Sequence, residues 1–222
     1  MILVATATGL EMEPLLSRLD AVSGLEPFCV GMGPVEAAAR LARHLASLPA
    51  LPAALLLVGV GGAYPDSGLG IGDLAVAATE VLADTGVRLR DRLEPFDESR
   101  LPLCTRFRLD PELGRQAAAI LARAGRPCPA AAFATVAATS GTTAAGLAIR
   151  DQFRVAVENM EGAAVARVCQ LFGVPLVELR AMSNLVQDRD QASWDLPAAC
   201  LKAAEAGALV AAALAGHGDL PL

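Results

Sequence analysis

A chain of 222 residues with 54% hydrophobic content and a formal net charge of −6 can bury the core of one α/β domain, and it lacks the basic surplus expected of a nucleic-acid binder. Two histidines, His44 and His217, and no C-x-x-C pair disfavour zinc sites and Ser-His-Asp or Cys-His catalysis. Five scattered cysteines, Cys29, Cys104, Cys128, Cys169 and Cys200, read as free thiols in a reducing cytosol. The expected partner is a small molecule or a second copy of the chain.

The first ten residues carry no basic n-region and read as a strand over 2–6, not a signal peptide. A helix over 11–19 follows, with Glu11 and Glu13 in the first turn, where the helix dipole favours carboxylates. A strand over 26–30 leads through "GMGP" to a helix over 35–47, which Pro34 helps to start. Residues 55–60 form a continuous apolar run, as in a strand buried on both faces. The glycine-rich stretch "GVGGAYPDSGLGIGD" then reads as a loop over 59–72. It matches neither G-x-x-x-x-G-K-[ST] nor a helix-opening G-x-G-x-x-G, so a phosphate cradle is not expected.

Residues 74–110 read as strands around a loop at "EPFDESR", and 111–124 as a helix. A strand over 132–138 precedes "TSGTTAAG". Then come a strand over 155–157, a helix over 160–172, a strand over 176–181 and a long closing helix over 195–214. The most apolar segments, "AALLLVGVGGAY" and "AGALVAAALAG", fall short of the ~18 residues of a membrane span, so no membrane is expected. The pattern predicts a single α/β domain over 1–222, three-layered, with a mixed central β-sheet flanked by helices.

Sites in such sheets lie at the carboxyl ends of strands. The polar groups that follow apolar runs are Glu11 and Glu13, "GMG", "GVGG", "TSGTT", "NMEG" and "MSNLVQDRD". Each has a plain structural reading. Glu11, Glu13 and Glu161 can each complement a helix dipole, Asn184 can make a turn, and Asp188, Arg189 and Asp190 can be a solvated loop. Arg180 is better suited to a carboxylate partner than to substrate. Carboxylates behind two separate buried strands nevertheless point to a site.

Taken in order, "TGLEMEPL", "GVGGAYPDSGLGIGDL", "VENMEGAAVARVCQLFGVPLVELRAMSN" and the final helix resemble the nucleoside phosphorylase/nucleosidase superfamily. Within it the sequence is most similar to the futalosine hydrolase family of menaquinone biosynthesis, through the glycine stretch, Asn184 in place of Asp, and "DRDQASW". The resemblance implies hydrolysis of a purine N-glycosidic bond through an oxocarbenium-like ribosyl transition state, with no metal or organic cofactor. It also implies a cytoplasmic homo-oligomer, a dimer or larger.

On that resemblance Glu161 holds the ribose hydroxyls, with Met160 against the sugar. Glu13 activates water, with Glu11 as the nearby competitor. Asn184 reads the base, its amide suited to the O6 and N7 atoms of hypoxanthine. Substrate contacts fall also on Gly61 and Gly62, on Thr142 within the Ser140–Thr143 stretch, and on Trp194. Phe153 is expected in the core. Arg88, Arg90, Arg92 and Arg189 are unranked partners for the benzoate of futalosine. The alternatives are a methylthioadenosine/adenosylhomocysteine nucleosidase, a purine nucleoside phosphorylase, and a non-catalytic nucleoside-binding protein. A 6-amino analogue of futalosine also stays open as substrate.

Overall fold

The computed structural model describes residues 1–19, 22–89 and 92–216. The chain runs β1 (Ile2–Thr6), α1 (Gly9–Leu19), β2 (Leu25–Cys29), α2 (Pro34–Ser47), β3 (Ala54–Ala63) and β4 (Leu74–Leu82). It continues through β5 (Gly86–Arg88), β6 (Leu93–Pro95), β7 (Arg106–Arg108), α3 (Pro111–Arg123), β8 (Ala130–Thr135) and α4 (Thr143–Phe153). The last elements are β9 (Val157–Asn159), α5 (Gly162–Phe172), β10 (Leu176–Leu185) and α6 (Leu196–Leu214).

Two ten-residue strands organise the sheet. β3 pairs in parallel with β10 along one edge. Along its other edge β3 pairs first with β1, which pairs with β2, and then with β9 through Gly62 and Ala63. β10 pairs with β4, β4 with β8 and β8 with β9, so the sheet closes on itself. β7 pairs with β4, and β5 with β6 forms a separate two-stranded ribbon.

Successive side chains of a strand point to opposite faces, and both faces here are covered. Ile2, Val4, Leu56, Val58, Val177 and Leu179 pack under α1, α3 and α6. Leu3, Ala5, Leu55 and Leu57 pack under α2 and α5. The result is the three-layer α/β arrangement with a mixed central sheet that the alternating pattern implies. α2 shows the logic plainly: Ala37, Leu41 and Leu45, four residues apart, form its buried stripe.

Several boundaries differ from the sequence reading. β3 runs on through Gly59, Gly61 and Gly62, which are strand residues and not part of a loop. β10 likewise continues through Arg180 to Leu185. α4 was not foreseen: its threonine- and glycine-bearing start reads as a loop, and its weak apolar periodicity hides the helix. Phe153, at its end, lies in the core beside Val81 and Ile149, as expected.

By length and apolarity Gln191–Leu214 would suffice to cross a membrane, contrary to the expectation that this segment is too short. Its buried residues, among them Ala203, Ala206, Val210 and Ala211, place α6 instead in the core against α1, β3 and β10.

Gly207 brings α6 onto β3, since a β-carbon there would stand 2.8 and 2.9 Å from the Val58 γ-carbons. Val58 is buried strand interior and has little room to yield. Gly207→Ala should therefore overpack this contact and lower stability by about 1–3 kcal/mol, despite alanine's better helix propensity. Urea denaturation checks this; a stabilised variant would show that the layers can slide apart.

Candidate active site

The carboxyl ends of β1, β3, β9 and β10 converge on one cavity of about 290 Å³. Three strands are followed within a few residues by a polar segment or helix start, and β10 carries its polar residues within its own last turns of strand. The sequence therefore delivers carboxylates from several elements to one place.

Glu11 enters from α1. Thr8 and Glu11 form a reciprocal capping box: Glu11 Oε2 accepts from the Thr8 amide and hydroxyl at 2.9 Å, and the Glu11 amide donates to Thr8 Oγ1 at 3.4 Å. Glu11 Oε1 accepts from the Val60 amide at 3.1 Å, tying the helix start to β3. The carboxylate is buried and lines the cavity, with acceptor capacity left on Oε1. Glu13, the residue favoured from sequence as water activator, is exposed and does not line the cavity. Two residues along a helix is a turn of about 200°, so the two side chains leave opposite faces.

Glu161 enters as the residue just before α5, yet its side chain does not cap that helix. Asn159 Oδ1 accepts from the amides of Glu161 and Gly162 at 2.9 and 2.8 Å, and Thr135 Oγ1 accepts from Ala163 at 2.7 Å. With the helix start satisfied by these neighbours, Glu161 is free to face the cavity. Its Oε1 accepts from the Gly33 amide at 3.0 Å, so the "GMG" segment before α2 contributes. Its Oε2 meets Arg180 Nη1 at 3.3 Å. Met160, beside it, lines the cavity.

Arg180 is the buried hub. Its Nε donates to Glu178 Oε1 at 2.9 Å and its Nη1 donates to Glu161 and to the Val60 carbonyl. Burial alone would lower its pKa, but the charges of Glu178, Glu161 and Glu11 outweigh that and hold it above the ordinary guanidinium value. Arg180 Nη2 has no partner among the described groups, and Arg180 lines the cavity. The cation thus pairs with carboxylates, as the sequence suggested, and keeps one donor open.

Behind Arg180 lies a second carboxyl, Glu80, fully buried like Glu178. Burial, then the charge of Glu178, raises the Glu80 pKa well above 4.5. Glu178 Oε2 meets no N–H or O–H donor among the described residues. The protonated form of Glu80 that this raised pKa favours carries an O–H, the donor that Glu178 Oε2 otherwise lacks. Glu80 also accepts from Thr135 Oγ1 at 2.8 Å and Asn159 Nδ2 at 2.6 Å, the two groups that cap α5.

Asn184, Ser140 and Glu158 stand together at another part of the cavity wall. Asn184 Nδ2 donates to the Leu185 carbonyl at 3.0 Å and Oδ1 accepts from Ser183 at 2.8 Å, leaving one hydrogen and one lone pair for a ligand. Gly62 admits the amide: a β-carbon there would lie 3.1 Å from Asn184 Nδ2 and 2.8 Å from Val186. Glu158 had no place in the sequence reading. It accepts from the Ser140 amide at 2.8 Å, the Ser140 hydroxyl at 2.6 Å and the Tyr64 hydroxyl at 2.9 Å. Burial, then the Glu158 charge, pushes the Tyr64 phenol up, so it remains a donor.

Of the remaining expected contacts, Gly61, Gly62 and Trp194 line the cavity. Thr142 does not: it is exposed and caps α4, accepting from the Ala145 amide at 3.2 Å. Thr139 and Ser140 take its place in the wall. The signal for Glu11 over Glu13 was present in the sequence, since "TGLE" has the S/T-x-x-E spacing of a capping box.

His44 stacks on Phe28 and pairs with Glu26 at 3.0 Å, and neither it nor Phe28 lines the cavity; His217 lies outside the described residues. Cys200 lines the cavity, but burial, then the Glu11 charge, pushes its thiol up to about 11, unsuited to a nucleophile. Among the described residues no group of three or more His, Cys, Asp or Glu is arranged to hold a metal.

The family model of the phosphorylase superfamily matches residues 3–215. A futalosine hydrolase of Thermus thermophilus is 40% identical over 169 residues, 74% of this chain and 71% of the relative. A futalosine hydrolase of Streptomyces coelicolor is 30% identical over 212 residues, 87% of each chain. Among solved structures, the native futalosine hydrolase of Helicobacter pylori superposes with a TM-score of 0.80 at 21% identity, covering 94% of this chain and 96% of that one. A 5′-methylthioadenosine/S-adenosylhomocysteine nucleosidase of the same organism, with butyl-thio-DADMe-Immucillin-A, gives 0.79 at 22% identity, covering 92% and 94%. These two share the fold.

The buried proton has a measurable sign. Glu80 keeps it in the folded chain and releases it near 4.5 when unfolded. Stability from this group is therefore complete below 4.5 and is lost as pH rises toward the raised folded value, by up to about 1.4 kcal/mol per pH unit. Glu80→Gln carries no such proton. Its stability relative to the parent should climb as pH goes from about 5 to 7, measured by urea unfolding at fixed ionic strength. Parallel pH curves would show that the Glu80–Glu178 pair holds no extra proton.

Proposed function

The chain belongs to the futalosine hydrolase family within the phosphorylase superfamily, and on that footing we propose that it hydrolyses the N-glycosidic bond of futalosine to hypoxanthine and dehypoxanthine futalosine in menaquinone biosynthesis. One observation carries the mechanism: Glu11 and Glu161 face the same cavity from different helix starts, with Arg180 reaching toward both.

Glu11 is the base. Thr8 and Val60 fix its carboxylate, and the free lone pair on Oε1 takes the proton of the attacking water. The C1′–N9 bond breaks with its electron pair leaving on hypoxanthine, the C1′–oxygen bond forms, N7 takes a proton from solvent water, and Glu11 afterwards returns to solvent the proton it took. Glu161 accepts from the 2′- and 3′-hydroxyls and lies where ribosyl positive charge develops, so it binds the transition state more tightly than the ground state. Arg180 is a positioning residue that sets the orientation of Glu161. Asn184 donates to O6 and accepts from a protonated N7, a pattern that favours a 6-oxo purine over its 6-amino analogue.

Water is the preferred nucleophile. Among the described residues Arg180 is the guanidinium in the cavity wall, and two glutamates already pair with it beside Glu11 and Glu161, which argues against a phosphate site there. Leu10, Met32 and Val35, exposed near the cavity or the start of α2, support a homo-oligomer, a dimer or larger. Five free cysteines support a reducing cytoplasmic location. Residues from both ends of the chain enter one core, which supports a single domain over 1–222.

Incubation with futalosine, inosine and methylthioadenosine, with and without phosphate, followed by identification of the released base, tests the proposal. Hypoxanthine should come from futalosine independently of phosphate. Adenine from methylthioadenosine with futalosine untouched would overturn it. Glu11→Gln should lower kcat by about 100-fold or more, whereas Glu13→Gln should stay within about twofold of the parent. The reverse ranking would return the base role to Glu13.

A further inference from the structure

Futalosine differs from inosine by an arm at C5′ that ends in a benzoate, and nothing in the chemistry at C1′ recognises that group. The four arginines left unranked by the sequence now separate. Arg88 and Arg92 belong to or adjoin the β5–β6 ribbon, none of whose described residues lines the cavity, and Arg88 stands 3.9 Å from Asp84. Arg90 lies outside the described residues. Arg189 is different. Its guanidinium carbon lies 5.4 Å from the centre of the Trp194 ring, and Trp194 lines the cavity.

Resting on the futalosine reading, we propose that Arg189, seated on Trp194, binds the carboxylate of the substrate's aryl arm and so selects futalosine over nucleosides without that arm. Three observations support the assignment. First, the wall beside Trp194 is apolar: Leu196 and Cys200 of α6, with Leu10 and Met32, offer surface for an aryl ring. Second, the loop that carries Arg189 is anchored. The Arg189 amide donates to the Gly141 carbonyl at 3.2 Å, and Asp188 Oδ1 accepts from the Thr143 amide at 2.8 Å. Third, both flanking acids are engaged by backbone amides, Asp188 by that of Thr143 and Asp190 by that of Ala192. Asp190 Oδ1 caps the short turn Gln191–Ser193 at Ala192. Among the described residues no carboxylate lies within ion-pair distance of Arg189, so its charge is available.

The stacking matters for affinity as well as place. A guanidinium resting on an indole keeps its planar fork of donors outward, and a planar fork matches a carboxylate in two parallel hydrogen bonds. Holding it there in advance removes part of the ordering cost of binding. Trp194 thereby serves two surfaces, one face toward the arm and one toward the cation.

The test compares futalosine with its methyl ester, which keeps the ring and removes the charge, on the full chain and on Arg189→Ala, Arg189→Lys and Arg189→Glu. The parent should prefer the acid by about tenfold in kcat/KM, mainly through KM. That preference should fall to about one in Arg189→Ala, recover in part in Arg189→Lys, and favour the ester in Arg189→Glu. Thermal unfolding of each variant separates a folding defect from lost recognition. An unchanged acid preference in Arg189→Ala, with futalosine still cleaved, would overturn the carboxylate site alone. Failure of the parent to cleave futalosine at all would overturn the futalosine reading, and this inference with it.

Discussion

The site depends on a buried guanidinium. Arg180 is 1% exposed and shares its surroundings with Glu178, Glu161 and Glu11. Removing such charges from water costs several kcal/mol each, and attraction repays that only when geometry and hydrogen bonding are good. β3 makes the geometry possible. Gly59, paired with Arg180 across the sheet, has no side chain, and a β-carbon there would stand 2.6 Å from Arg180 Nη1 and 2.7 Å from Glu11 Oε1. The glycine that looks like a loop in the sequence is the gap through which the cation and the carboxylate approach each other.

The same economy governs the helix starts. α5 has backbone N–H groups to satisfy, and Glu161 would ordinarily be drawn into that task. Asn159 and Thr135 satisfy them instead, and both are held by Glu80. Glu80 in turn needs a proton to face Glu178. Hydrogen bonds join the capped start of α5 to Glu80, a second set joins Glu178 through Arg180 to Glu161, and the charge of Glu178 acts on Glu80 between them. At α1 the solution is the opposite: Glu11 takes part in its own capping box and still turns one oxygen to the cavity.

Much of this was legible in the sequence because strand and helix periodicity survive at the ends that matter. The layers, Glu161, Met160 and Asn184 all follow from apolar runs that hand over to polar residues. Glu11 and Glu13 look alike to composition, which treats two carboxylates in one helical turn alike, and only the Thr8–Glu11 spacing marks which of them turns to the cavity. Gly59 to Gly62 misled because glycine disfavours strands, while the constraint that keeps it there is the approach of distant residues, Arg180, Asn184 and Val186. Glu158 was invisible for a similar reason. Its partners, Tyr64 and Ser140, are far away in the chain, and an isolated glutamate in a strand carries no local signature.

Glu158 also divides the site by rigidity. The wall around Glu11, Glu161 and Arg180 is built from buried strands and helix starts joined by charged groups. The rest of the wall combines Asn184 of β10 with segments between elements, the stretch before α4 and the turn before α6. These segments are held by a few hydrogen bonds: Ser140 to Glu158, the reciprocal pair of Asp188 and Thr143, and the Arg189 amide to the Gly141 carbonyl. A fold that fixes bond cleavage at its core and leaves recognition to anchored loops can exchange one nucleoside for another by altering the loops alone. Glu11 and Glu161, the proposed catalytic groups, lie on the side built from strands and helix starts, and Trp194 and Arg189 lie on the side built from loops.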